Sequence, residues 1–304
     1  MYLQNIEEIN KILSDMYSIF CHLPIEAQEL FTQKTHELML QRNNTSLYAL
    51  QVFKEFHEKA LQYRLNINNI SVLEMGAGKP LGSGIFWNFA GVKKYTSIDK
   101  FTQVNLNDLW LSRFKTILNM NILNMEDSKT DSLFKKNGNH YALNTERIKF
   151  IHGSFEEYPL EKKSFDFIYS TAVLEHVTNI EKIMKKMHDV LSDDGIMIHN
   201  IDLREHHTHL RTVPDKNTST DFLKYSTEEW IKIYPPGSLH YINRLRANDF
   251  RKYFEDAGFN IIEFTATQEM ELNKTVYPAI HPEFHKYSIA DLKKLVISVV
   301  LEKA

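Results

Sequence analysis

The chain has 304 residues, 43% hydrophobic and 25% charged, with a formal net charge of −3. That length buries a sizeable core, and that composition excludes a disordered chain. The interspersed charge excludes the basic footprint of a nucleic-acid binder or a polybasic membrane surface, and no apolar run approaches the ~20 residues that span a bilayer. Cys21 is the only cysteine, which excludes an intrachain disulfide and a multi-cysteine metal site. The acidic N-terminus lacks the n-region of a signal peptide, so a cytoplasmic protein is expected.

Residues 1–66 read as a helical extension. Ile6, Ile9, Ile12, Leu13, Met16 and Ile19 recur at helical spacing, Leu23-Pro24 interrupts, and a second segment runs from about Ile25 to Leu40. A third helix carries Leu47, Leu50, Val52, Phe53, Phe56 and Leu61, with Ser46 placed to cap it. From Ile70 onward strands alternate with helices. The candidate strands are Ile70–Met75, Lys94–Asp99, Ile148–His152, Phe165–Ser170, Ile196–Ile201, Asn260–Thr265 and Leu295–Glu302, and Ile180–Leu191 and Ala247–Ala257 are among the helices. This alternation predicts an α/β domain over 67–304, with a Rossmann-like, seven-stranded, mostly parallel sheet and helices on both faces. Ligands in such a sheet bind at the carboxyl ends of the strands. Residues 101–146 are too long for a simple connection and read as an insertion after strand two, with a polar loop around Asp127–Gly138.

The chemistry centres on Ile70–Gly84. An apolar run ends in Glu74, a glycine-rich turn follows, and a helix begins. Gly76, Gly78 and Gly82 are spaced G-x-G-x-x-x-G, one residue too long for the dinucleotide fingerprint. A carboxylate at the strand end suits a ligand bearing an ammonium group. Asp99 ends the second strand about 20 residues past the first glycine, where an acid accepts hydrogen bonds from ribose hydroxyls. The segments Gly153-Ser154-Phe155, Phe165-Asp166-Phe167-Ile168-Tyr169-Ser170, Val173-Leu174-Glu175-His176-Val177 and Leu191-Ser192-Asp193-Asp194-Gly195 follow in order.

This ordered set, over roughly residues 70 to 201, resembles the class I S-adenosylmethionine-dependent methyltransferases. The resemblance implies that Glu74, Gly76, Ala77, Gly78 and Gly82 hold the methionine end of S-adenosylmethionine. By the same likeness Asp99 and Lys100 meet the ribose, Ser154 and Phe155 flank the adenine, and Ser170 and Thr171 border the cofactor. Ser154 replaces the aspartate usual in that family. His176 supports the site in the family rather than reacting.

The acceptor is expected over residues 202–246. Strand five runs out into Asn200-Ile201-Asp202-Leu203-Arg204-Glu205-His206-His207. For a hydroxyl acceptor the protein must remove a proton, a task for histidine near neutral pH. His206 is the first choice, with Asp202 orienting it, and His207 is the alternative. The local carboxylates and histidines also offer metal ligands, but Mg²⁺ prefers carboxylates and water to imidazole, so no metal is expected. The segments I-D-L-R-E-H, F-L-K-Y-S and Y-I-N-R-L-R resemble bacterial methyltransferases of capsule and lipopolysaccharide synthesis. That resemblance implies a carbohydrate acceptor, phosphorylated or nucleotide-linked, bound by Arg204, Tyr241, Asn243, Arg244 and Arg246. It implies no nucleic-acid partner and no membrane insertion, and it is compatible with an oligomer. N-methylation of an amine, or a degenerate binding module, are the competing readings.

Overall fold

The computed structural model describes residues 46–63, 65–78, 83–101, 134–137, 140–143, 148–206, 218–238, 240–271 and 280–304. The helices expected before residue 45, together with Gly82 and His207, lie outside the described residues. The chain divides into two units, Met1–Gln51 with Asn105–Asn144, and Val52–Val104 with Thr145–Ala304.

In chain order the elements are α1 (Ser46–Gln62), β1 (Ser71–Met75), α2 (Gly84–Ala90), β2 (Lys94–Asp99), β3 (Phe134–Asn137), β4 (His140–Leu143), β5 (Ile148–His152), β6 (Phe165–Thr171), α3 (Ile180–Val190), β7 (Leu191–Asp202), α4 (Thr227–Ile233), α5 (Ala247–Asp256), β8 (Phe259–Glu269), α6 (Ile289–Leu292) and β9 (Lys294–Lys303). Seven strands form one sheet in the order β5-β2-β1-β6-β7-β9-β8. Neighbours from β5 through β7 run parallel, and β9 is antiparallel to both β7 and β8. This is the expected Rossmann-like α/β sheet. The order reverses at β1, where the chain builds outward through β2 to β5 and then returns to β6, so the ligand crevice falls at that switch. The first unit holds a hairpin of β3 and β4 in antiparallel register. This hairpin lies within the stretch expected as an insertion.

Why these segments form these elements follows from burial. Every residue of β1 is buried, as a parallel strand covered on both faces must be. In α3 the buried side chains are Ile180, Ile183, Met184, Met187 and Val190, one stripe at helical spacing. Asn179 caps it by accepting from the Lys182 amide at 3.0 Å. That stripe joins Phe250 and Phe254 of α5 in a core cluster with Leu73, Ile168, Met197 and Val299 of the sheet. A second packed group includes Phe53 and Phe56 of α1, Trp87 of α2, and Phe167 and Tyr169 of β6. Its ring centroids lie 4.4 Å apart for Phe56–Tyr169, 5.2 Å for Phe53–Trp87 and 5.6 Å for Trp87–Phe167.

One polar pair is sealed inside the sheet. His199 of β7 stands opposite Ser170 of β6, with Nδ1 2.8 Å from the serine Oγ. Burial lowers the His199 pKa to about 3, so the ring stays neutral when folded. The unfolded chain takes up that proton near the ordinary histidine pKa of about 6.5, so it binds more protons than the folded chain below that pH. Stability is therefore full above about pH 6.5 and is lost as pH falls toward 3. Chemical denaturation near pH 7.5 and near pH 5 should show the native chain losing on the order of 2 kcal/mol more than a His199→Gln variant. Equal losses in the two proteins would show that the ring is protonated without cost.

Candidate active site

The parallel strands end on one side of the sheet, and a cleft of about 240 Å³ opens there. Its lining includes Met75 and Gly76 from β1, Ile98, Asp99 and Lys100 from β2, Gly153, Ser154 and Phe155 after β5, and Ala172, Val173, His176 and Val177 after β6.

The glycine turn shapes one wall. Gly76 has φ +73°, and a Cβ there would lie 2.3 Å from Val173 Cγ2. Only a bare backbone fits between β1 and the segment after β6. Asp99 fixes this turn. Its Oδ2 accepts from the Gly78 amide at 2.8 Å, and its Oδ1 from the Phe101 amide at 2.9 Å. Ala172 has φ +53°, a strained conformation for a residue with a side chain. Its amide donates to the Asn200 carbonyl at 2.9 Å, which secures it where the chain leaves β6. The strain thus sits on the cleft lining itself.

Of the residues expected to hold a cofactor, Gly76, Asp99, Lys100, Ser154 and Phe155 line the cleft. Gly78 stands against Asp99, and Ala77 is half-buried beside it without joining the lining. Three expectations need correction. Glu74 is 6% exposed and does not line the cleft. Its carboxylate accepts from Tyr95, from Tyr169 at 2.7 Å, and from the Ser83 amide and hydroxyl at 3.4 Å. Burial raises its pKa, against the opposing pull of those donors. Ser170 is fully buried against His199 and also stays off the lining. Thr171 is half-buried, and its hydroxyl has no hydrogen-bond partner, but it does not line the cleft either.

The residue set fits a nucleoside-bearing cofactor. Ile98, Phe155, Val177 and Ile183 offer apolar walls for a flat base, and Asp99 presents a carboxylate at the end of β2. The close approach at Gly76 keeps the turn backbone open to a ligand.

Beside the cleft lies a group that sequence reading only half resolved. Glu175 and His176 sit on a short 3-10 turn (Leu174–His176) after β6. His206 follows β7, and its ring centroid is 5.0 Å from that of His176. His206 Nε2 is 3.5 Å from Asp202 Oδ2 and 3.9 Å from Glu175 Oε1. The expected Asp202–His206 neighbourhood is therefore present. Burial pushes the Asp202 carboxyl upward, but the hydrogen bonds from Arg204 and His206 outweigh it and hold the carboxyl well below the ordinary carboxylate range. Burial drives Glu175 well above that range. Sequence reading passed over Glu175, although its place in the V-L-E-H-V segment was the available signal.

The arginines expected to clamp an acceptor are engaged by other groups of the protein, Arg204 at the surface and Arg244 and Arg246 buried. Arg204 grips Asp202 through Nε at 2.8 Å and Nη2 at 2.6 Å. Arg244, at φ +60°, donates to the carbonyls of Phe222 at 3.1 Å and Tyr225 at 2.7 Å and to Thr227 Oγ1 at 2.9 Å. Its guanidinium lies 4.8 Å over the Phe284 ring. Arg246 is fully buried and donates to the carbonyls of Leu203 at 2.8 Å, Leu292 at 3.2 Å and Lys294. Asn243 donates to the carbonyls of Leu174 and Val177 at 2.8 and 3.1 Å, pinning the turn that carries Glu175 and His176. Tyr241 contributes its backbone carbonyl, 2.7 Å from His176 Nδ1. These contacts brace the site from within the protein. Replacing Arg246 with Met should cost about 3 kcal/mol in urea denaturation, because buried carbonyls lose their donors. An unchanged midpoint would show that those carbonyls find other donors.

Residues 105–199 match a family model described as a methyltransferase domain. Among solved structures, a provisionally assigned S-adenosylmethionine-dependent methyltransferase from Listeria monocytogenes is 14% identical, with a TM-score of 0.46 over 84% of this chain and 99% of that one. A provisionally assigned sarcosine dimethylglycine methyltransferase from Galdieria sulphuraria is 16% identical, with a TM-score of 0.46 over 84% and 86%. A third, an S-adenosylmethionine-dependent methyltransferase from Clostridium acetobutylicum, is 10% identical, with a TM-score of 0.45 over 89% and 99%. On the match to the family model, residues 105–199 are similar to a methyltransferase domain.

Proposed function

We propose that the chain is an S-adenosylmethionine-dependent methyltransferase that acts on an oxygen acceptor, a sugar hydroxyl on a phosphorylated or nucleotide-linked carbohydrate of surface-polysaccharide synthesis. The single observation that carries O-methylation is the Asp202–His206 pair at the end of β7, with His176 between it and the cleft. An amine acceptor that is already unprotonated needs no such group. A hydroxyl does, because its proton must leave as the new bond forms. The carbohydrate part rests on the resemblance of the 202–246 segments. With the three arginines engaged by other groups, Lys100, exposed on the cleft lining, is a cation available to a phosphorylated acceptor.

The bound cofactor supplies a methyl group on a sulfonium, which is already a good leaving group. The protein's part is to hold and align. Gly76 and Gly78 would present backbone to the amino-acid end, Asp99 would hold the ribose, and Ser154 and Phe155 would border the base. His206 takes the acceptor's proton. Asp202 stabilises the imidazolium that results, while Arg204 holds Asp202 in place.

Calorimetry with S-adenosylhomocysteine tests the cofactor half. Asp99→Ala should weaken binding about tenfold or more, by removing both the ribose acceptor and the clamp on the glycine turn. Unchanged affinity would remove Asp99 from the site. A screen of nucleotide sugars tests the acceptor half. His206→Ala should lower turnover by about a hundredfold or more while leaving S-adenosylhomocysteine affinity in place. Full turnover in that variant would exclude His206 as the base and favour an amine acceptor.

A further inference from the structure

Glu175 is 1% exposed, yet neither of its carboxylate oxygens has a hydrogen-bond partner. The amides of Glu175 itself and of Asp202 act on the carboxylate, but neither meets hydrogen-bond geometry. A buried carboxylate left in that state is costly. Asn243 holds the turn in place from below, so the carboxylate is not simply misplaced on a loose loop.

What surrounds it is a set of metal-ligand atoms. One atom each from Glu175, His176 and His206 lies within 4.8 Å of the others. Ligands about 2.1 Å from a shared ion sit roughly 3–4 Å apart, so the three need to draw in by about 1 Å. His176 is already in the protonation pattern of a ligand. Its Nδ1 lies 2.7 Å from the Tyr241 carbonyl, which only accepts. Nδ1 therefore carries the proton and Nε2 the lone pair, the arrangement that backbone carbonyls impose on metal-bound histidines. His206 Nε2 is buried and faces two carboxylates, 3.5 Å from Asp202 Oδ2 and 3.9 Å from Glu175 Oε1.

We propose that Glu175, His176 and His206 bind a divalent first-row transition-metal ion. Two imidazoles and one carboxylate suit Zn²⁺, Co²⁺ or Mn²⁺, and the nitrogen-rich set disfavours Mg²⁺. The ion neutralises the buried carboxylate and leaves open positions toward the cleft that His176 lines. There it would hold the acceptor oxygen and promote loss of its proton. That role rests on the methyl-transfer reading, whereas binding of the ion does not. With the ion in place, His206 serves as a ligand, and the imidazole base of the metal-free site is replaced by the ion's effect on the hydroxyl.

The test uses the full chain, stripped with a chelator and titrated with Co²⁺, whose visible d–d absorption reports the ligand set. One equivalent should bind, with bands of a mixed nitrogen–oxygen site, and Zn²⁺ should displace it. Glu175→Gln and His206→Gln, each checked for native circular dichroism, should weaken uptake about tenfold or more. S-adenosylhomocysteine should bind the stripped protein as before. The absence of saturable Co²⁺ uptake, or uptake equal in both variants and the native chain, overturns the metal site. Loss of S-adenosylhomocysteine binding overturns the methyltransferase reading instead, so the two failures are distinguishable.

Discussion

The site depends on one buried carboxylate. Glu74 lies at the end of β1, paired in register with Ser97 of β2 and Tyr169 of β6. Tyr95 of β2, Tyr169 of β6 and Ser83 at the start of α2 all donate to it. Trp87 of α2 adds a bond to the Tyr169 hydroxyl at 3.0 Å. Three strands and a helix are thus fastened at one point beneath the glycine turn. A carboxylate so deep would be prohibitive alone; several hydroxyl donors make it tolerable and fix its geometry. Because Glu74 holds the strands in register, Asp99 comes to the right height to hold Gly78, and the turn stays open to a ligand.

That arrangement shows where sequence reading works and where it stops. The central strands were legible because alternating strands and helices leave long apolar runs bounded by turns. β1, β2, β5 and β6 lie within a residue of their expected bounds. The fate of Glu74 was not legible. In a strand buried on both faces, side-chain alternation does not say which face looks toward the ligand. The glycine motif suggested a ligand contact, while the tyrosines that take the carboxylate stand on other strands, 21 and 95 residues away.

The arginines illustrate the same limit from the other side. Arg244 and Arg246 read in the sequence as an anion clamp, because arginine suits phosphate so well. Where the chain leaves regular structure it also exposes carbonyls that no helix or strand satisfies, and arginine reaches several of these at once. Arg246 serves carbonyls of Leu203, Leu292 and Lys294, which come together only in the folded chain. The motif therefore encodes how the acceptor-side segments are joined, and the polarity of the acceptor must be read from other residues.

His206 is where positioning and chemistry meet. A histidine base works best with a carboxylate aligned on it, yet Asp202 is committed to Arg204 at 2.6 and 2.8 Å and lies 3.5 Å from His206. The imidazole is consequently held loosely, and Glu175, with no donor of its own, stands near the same Nε2. Had Asp202 alone been meant to orient His206, the bidentate arginine would be a handicap. It makes sense if the ring must be able to turn toward Glu175 and His176. Arg204 then has a defined task. It compensates Asp202 so that a second carboxylate, Glu175, can stand near the same imidazole without the two acids repelling each other.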